Sequence, residues 1–99
     1  MQTQETQAVQ PATFAVTHAN TVQMLDLRYA LSMDGCCIVD LTECEAGHKP
    51  LDEVFCAIVS ALRRGVAVTL RVRQDSREHR RAARYALDTL ERCDVEVTP

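Results

Sequence analysis

The sequence predicts an α/β fold: a single small domain with a mostly parallel four-stranded sheet and three helices, in the order β-α-β-α-β-α-β. Three observations carry that prediction. Cys36-Cys37-Ile38-Val39-Asp40-Leu41 is a nearly continuous apolar run of the kind found in strands buried on both faces. Leu51, Val54, Phe55, Ile58, Val59 and Leu62 recur at helical spacing and draw one unbroken stripe. Val66 to Arg73 then alternates, with Val66, Val68, Leu70 and Val72 on one face and Ala67, Thr69, Arg71 and Arg73 on the other. Helical crossovers of 13 to 17 residues between strands imply parallel pairing with right-handed connections. A two-layer or three-layer domain over residues 13–99 follows.

Met1 to Ala12 holds four Gln and two Thr around Glu5 and Pro11, too little apolar surface to offset the entropy of ordering, and is expected to be a disordered polar tail. It lacks Lys, Arg and an apolar core, so it does not read as a secretory signal. Thr13 to Thr17 is a short β-type run closed by His18-Ala19-Asn20. Asn20 can cap a helix from Thr21 to about Met33, with Gln23 in the capping-box position and Val22, Leu25, Tyr29 and Met33 at helical spacing. The same stretch alternates as Leu27, Tyr29, Leu31, Met33, so a strand or a hairpin with 13–17 is the alternative. Asp34-Gly35 turns the chain into the apolar run at Cys36. Thr42 to Lys49 is a polar loop, Pro50 suits a first helical position, Arg63 and Arg64 suit the helix's negative end, and Gly65 suits the residue just past it. Asp75 or Ser76 caps a third helix expected to run to about Arg92, with Ala83, Ala86, Leu87 and Leu90 as its apolar edge. Asp94 to Thr98 supplies the last strand.

Composition narrows the function classes. With 99 residues and 11.1 kDa there is room for one core, and no apolar run approaches the ~20 residues of a membrane span. The net charge of −3 gives the whole molecule no attraction to polyanions. Five cysteines, an odd number mostly in apolar contexts and without an export signal, read as reduced thiols in a cytoplasmic protein. Three glycines, with no Gly-x-Gly-x-x-Gly and no phosphate loop, leave no nucleotide cradle, and no cofactor is expected.

In an open α/β sheet, ligands bind outside the carboxyl ends of the strands. That rim gathers Thr17 and His18; Asp40, Thr42, Glu43, Cys44, Glu45 and His48; and Arg73, Gln74, Asp75 and Ser76. Cys44 and His48, with Cys36, Cys37 and Cys56, have the softness zinc needs. Their placement argues against a metal site: Cys36 and Cys37 point to opposite faces at the far end of a strand, and Cys56 lies two turns into a helix. Arg77, Arg80, Arg81 and Arg84 share a helix face, with Arg73 on the strand before. Six arginines from Arg71 to Arg84 stand against Asp75 and Glu78, whereas six acids from Asp34 to Glu53 stand against Lys49. The plain reading is a solvated helix face balanced by Glu78 and Asp88. The functional one is docking of an acidic partner or of another copy's acidic loop. Nucleic acid is disfavoured, since phosphate binding usually recruits Lys and aromatic residues and this chain has one Lys and four aromatics. For nucleophilic catalysis the candidates are Ser76, one helical turn from His79, and Cys44. A helical i, i+3 pair seldom aims a ring nitrogen at the hydroxyl, and no Gly-rich elbow precedes Ser76.

The run Cys36 to Leu41 followed by Thr42, and a helix ending Ala61-Leu62-Arg63-Arg64-Gly65 before Val66 to Leu70, resembles the middle of a STAS domain, the module of anti-sigma factor antagonists. The residue-level match lies in Val39-Asp40-Leu41-Thr42 and Arg64-Gly65-Val66. The resemblance implies a regulatory, non-enzymatic role, with docking through the loop and helix start around Glu43 to Glu53. The family's phosphorylatable Ser would fall near His48-Lys49-Pro50-Leu51, where no Ser or Thr stands, so that switch is absent. The element order is also similar to the first half of the Clp-protease and crotonase fold, which has a Ser roughly where Ser76 lies but in Gly-rich surroundings missing here. The expected function is therefore a protein-interaction module. Its partner, a second protein or another copy, is met by Glu43, Glu45, His48, Asp52 and Glu53 or by Arg73, Arg77, Arg80, Arg81 and Arg84. The alternative is a degenerate or small hydrolase-like protein using Ser76 or Cys44.

Overall fold

The computed structural model describes residues 12–32 and 36–99. Of the expected tail, Ala12 already belongs to the first strand and 1–11 lie outside the described residues, as do Met33 and the Asp34-Gly35 turn. The elements are β1 (Ala12–Ala15), α1 (Thr21–Ser32), β2 (Cys36–Asp40), α2 (His48–Arg63), β3 (Ala67–Arg73), α3 (Arg77–Arg84), a 3-10 turn (Leu87–Thr89) and β4 (Cys93–Thr98). The four strands form one sheet in the order β1-β2-β3-β4, every neighbouring pair parallel. The order of strands and helices along the chain and the parallel pairing are as predicted, and residues 21–32 are helix rather than strand.

Because each right-handed crossover steps one strand in the same direction, all three helices come to lie on one face of the sheet. Burial follows that geometry: Cys37 and Val39 on β2, Val68, Leu70 and Val72 on β3, and Cys93 on β4 are buried and in register across the strands. They pack with Met24, Leu27 and Leu31 of α1, with Leu51, Val54, Phe55, Ile58 and Ala61 of α2, and with Ala82 and Leu87. The domain is two-layered. Its other face carries Thr13, Ala15, Ile38, Asp40, Ala67, Thr69, Arg71, Asp94 and Glu96, none of them fully buried. A parallel sheet usually needs cover on both sides. This one meets water because its open face is mostly small or polar.

Caps set where α1 begins and where α2 ends. Asn20 Oδ1 accepts from the Gln23 amide at 2.9 Å, as a helix N-cap should. At the end of α2, Gly65 takes φ +92, its N–H donates to Leu62 O at 3.0 Å, and Val66 N–H reaches Ala61 O at 3.0 Å. That paired closure needs a left-handed residue and suits glycine. Pro50 falls on the third residue of α2 rather than the first. It is still within the first turn, where no carbonyl is available to its missing N–H.

Two expectations fail. The side of α1 facing the core is Met24-Leu27-Leu31, while Val22, Leu25 and Tyr29 are 67%, 61% and 69% exposed. Both rows have helical spacing, and packing on α2 selects between them. The third helix stops at Arg84 instead of Arg92. Ala86 is left-handed (φ 56), the 3-10 turn follows, and of the expected apolar edge only Leu87 is buried, with Ala83, Ala86 and Leu90 exposed. A helix continuous to Arg92 would leave no residue to turn into β4 at Cys93, whereas α2 uses three residues to reach β3. The break lets Leu87 enter the core and reverses the chain.

The choice of α1 face is tested directly by truncation. Leu27→Ala should lower stability by about 2–5 kcal/mol, and Leu25→Ala should stay within about 0.5 kcal/mol of the unsubstituted chain in urea unfolding. At the break, Ala86→Gly should raise stability by a few tenths to about 1 kcal/mol, since glycine relieves the left-handed strain.

Candidate functional site

The loops after β1, β2 and β3 meet on the carboxyl rim of the sheet, as the parallel topology requires. The turn after β1 is organised by Gln23, whose Oε1 accepts from the amides of Thr17 (3.2 Å), His18 (3.1 Å) and Ala19 (2.8 Å), while its Nε2 donates to Thr17 Oγ1 at 2.9 Å. This differs from the capping box expected of Gln23, in which the side chain would return to the Asn20 amide. It holds Ala19 left-handed at φ 54. The Glu45 amide donates to Thr17 O at 2.6 Å and ties the β2–α2 loop to this turn. His18 Nε2 lies 3.7 Å from Glu45.

After β2, Asp40 Oδ1 accepts from both the amide (2.9 Å) and the hydroxyl (2.6 Å) of Thr42, which bends the chain at Asp40-Leu41-Thr42. The Arg73 guanidinium, from the end of β3, donates to Thr42 O at 3.1 and 3.3 Å and stands 3.6 Å from Glu43. The rim is thus stitched strand by strand through main-chain and charged contacts.

The arginines expected to form one solvent-facing row on α3 fan out to different partners. Arg77 embraces Glu78 Oε2 through Nε at 3.1 Å and a terminal nitrogen at 2.9 Å. Glu78 is only 6% exposed and is the one buried charged residue among those described. A carboxylate so placed requires a cationic partner, and Arg77 supplies it. Arg80 donates to Asp75 O at 2.7 Å. Arg81, whose side chain is 11% exposed, pairs with Asp52 and reaches Nδ1 of His48 at 3.1 Å, clasping α3 to the first turns of α2. Beside it, the rings of Phe55 and Tyr85 stack with centroids 5.5 Å apart. The acidic and basic stretches therefore answer one another within the chain at Asp52–Arg81 and Glu43–Arg73. Glu53, Arg80 and Arg84 are exposed, and Glu53 and Arg84 make no ion pair among the described residues.

The nucleophile candidates lack an activating base. Ser76 Oγ accepts from the His79 amide at 3.0 Å as the N-cap of α3, and the His79 ring accepts from the Asp75 amide through Nδ1 at 3.1 Å instead of facing the hydroxyl. Cys44 is half-buried. Burial raises its thiol pKa, against a hydrogen bond from Ala46 that lowers it, with Glu78 and Glu45 raising it further and Arg77 opposing them. Such a thiol is not poised as a thiolate at neutral pH. Burial likewise raises Cys37. Cys93 is pushed up to about 11 by burial, with Asp94 and Asp88 adding. Cys37, Cys44, Cys56 and Cys93 are free, and Cys56 is exposed, contrary to its apolar sequence context. Among the described residues no three His, Cys, Asp or Glu side chains gather as metal ligands. No helix among the described residues is long and apolar enough to cross a membrane.

Sequence reasoning missed three features: Gln23 as the hub of the first turn, the buried Glu78, and the exposed row on α1. Leu25 of that row, with Arg28, Lys49, Pro50, Glu53 and Cys56, lines a groove between α1 and α2. Compared with protein-family models, curated proteins and solved structures, the chain matches none.

Gln23→Ala should lower stability by about 1–3 kcal/mol by stranding the amides it serves, and Gln23→Glu, which keeps an acceptor, should recover most of that loss in thermal melts. The raised folded-state pKa of Cys93 means that its share of stability is complete below its ordinary value of 9.0 and is lost as pH rises through about 11. Between pH 9 and 11 the unsubstituted chain should therefore lose stability more steeply than Cys93→Val, measured by urea midpoints at each pH.

Proposed function

We propose that this chain is a non-enzymatic protein-interaction module, STAS-like in its β2–loop–α2–β3 unit. Its docking face runs from loop 42–47 and the first turns of α2 across the groove onto the outer side of α1. The observation that carries this reading is the row Val22, Leu25 and Tyr29, each more than 60% exposed on one helix. Covering apolar surface of this kind is favourable at about 25 cal/mol per Å², and contiguous exposed patches commonly mark interaction sites. Glu53 and Arg28 on the groove walls add charges that orient a partner.

The occupant that fits is a helix of another protein. A second copy fits less well, because a two-fold axis through the centre of the row would bring Asp26 against Asp26. The hydrogen-bonding already assigned to Ser76 and the raised thiol of Cys44 supply no support for a hydrolase. A cytoplasmic setting goes with this reading, since the four described thiols are free.

The test is capture from cell extract with the unsubstituted chain, followed by rebinding of each purified candidate to Leu25→Glu, Tyr29→Glu, the triple reversal of Glu43, Glu45 and Glu53, and the double reversal of Arg80 and Arg84. A true partner should lose at least tenfold in affinity on either α1 substitution and on the acidic reversal. Equal binding to all variants, or a purified chain that is dimeric by light scattering and becomes monomeric on Leu25→Glu, overturns the reading.

A further inference from the structure

β4 is the edge strand at the opposite end of the sheet from β1, and its outer side leaves strand hydrogen-bonding groups without a partner among the described residues. Val68 N–H donates to Arg92 O at 2.9 Å and Gln74 N–H to Thr98 O at 2.7 Å. In a parallel ladder, inward- and outward-facing residues alternate. Residues 92, 94, 96 and 98 therefore face β3, and residues 93, 95 and 97 face away. The Cys93 amide is already taken by Leu90 O at 3.2 Å. What the edge presents is the amides of Val95 and Val97 and the carbonyls of Cys93, Val95 and Val97, the template for one more strand.

Side chains beside this edge specify what the strand should be. On the helix side, Val95 and Val97 with Ala82 and Ala83 of α3 line a small apolar groove, and Val97 is 42% exposed. His79 and Asp88 also line that groove, and on the open side Asp94 and Glu96 are both exposed. Arg71 meets Glu96 at 2.9 Å, while Asp94 makes no ion pair among the described residues. We propose that β4 accepts an extended peptide segment of another protein, paired along this edge, with small apolar side chains toward α3 and Lys or Arg side chains toward Asp94 and Glu96.

A second copy is the poorer occupant. Antiparallel pairing of β4 with itself sets Asp94 opposite Glu96 in one register and Glu96 opposite Glu96 in the next, and like charges directly opposed are destabilising. β1 of another copy would bring Thr13 and Ala15 to that face, with no cation to meet the acids. The acids guard the edge against self-pairing and leave it open to a basic strand.

The probe is a blocked hexapeptide alternating Lys and Val, compared with one alternating Glu and Val and with a Lys–Val peptide N-methylated on alternate residues. Binding is followed by amide hydrogen exchange and by NMR shifts of the full chain. The Lys–Val peptide should slow exchange of the Val95 and Val97 amides at least tenfold, and both comparison peptides should bind at least tenfold more weakly. Asp94→Lys should weaken the Lys–Val peptide and favour the Glu–Val one. Val97→Pro removes an outward amide that β3 does not use, so it should keep the fold by circular dichroism and lose the peptide. Should Val97→Pro unfold, Asp94→Lys decides alone. Equal binding of Lys–Val and Glu–Val peptides, shifts confined to α1 and α2, no protection of Val95 and Val97, or dimerisation of the chain through β4 overturns the proposal.

Discussion

Three right-handed crossovers that all advance the same way across the sheet constrain everything else in this molecule. They leave the helices no choice of side, so one face of each strand becomes core and the other faces water. Val68, Leu70 and Val72 on one side of β3, against Ala67, Thr69 and Arg71 on the other, express that division within a single strand. The same handedness brings the loops after the strands to one rim. There Asp40, Arg73 and Gln23 bind backbone groups that the turns would otherwise leave unpaired. Most polar side chains at the rim are thus occupied in holding the loops in shape.

That occupation bears on how the molecule uses its charge. Linear counting separates an acidic stretch before α2 from a basic one on α3, but the fold lays the two side by side. Arg81 spends its charge on Asp52, Arg73 on Glu43 and Arg77 on the buried Glu78. Of these pairs Arg73–Glu43 is exposed on both sides and adds little stability. Asp52–Arg81 holds α3 against α2 and Glu43–Arg73 holds β3 against the rim loop, while Glu53, Arg84 and Asp94 are among the charges that make no ion pair among the described residues. The surface feature that stands out is therefore apolar: the Val22, Leu25 and Tyr29 row on α1.

How much of this was legible in the sequence depends on the range of the interaction that decides it. Asn20, Gly65 and Ser76 were readable as caps because a cap is a contact within a few residues. The strands of β2 and β3 were readable because alternation and continuous apolar runs are local signals. The buried face of α1 was not, since Val22-Leu25-Tyr29 and Met24-Leu27-Leu31 both have helical spacing. The choice falls to packing on α2 and to the bonds that draw Gln23 back onto the preceding turn. The end of α3 was not legible either, because Ala86 adopts a left-handed conformation that no Gly or Asn announces. At the rim the residues were named from topology, but pairings such as Arg81 with Asp52, 29 positions apart, exist only in three dimensions.

Spatial order and chain order coincide in this sheet, and that has a consequence for assembly. A polypeptide emerging from the ribosome can lay each strand beside the one already in place and never has to insert between two others. Loop closure stays short at every step, which favours rapid formation. Until β4 arrives, however, the growing edge is β3, whose Val68, Leu70 and Val72 are destined for the core. Its exposure during synthesis is the interval in which a chaperone, or a misplaced neighbour, would have most to gain.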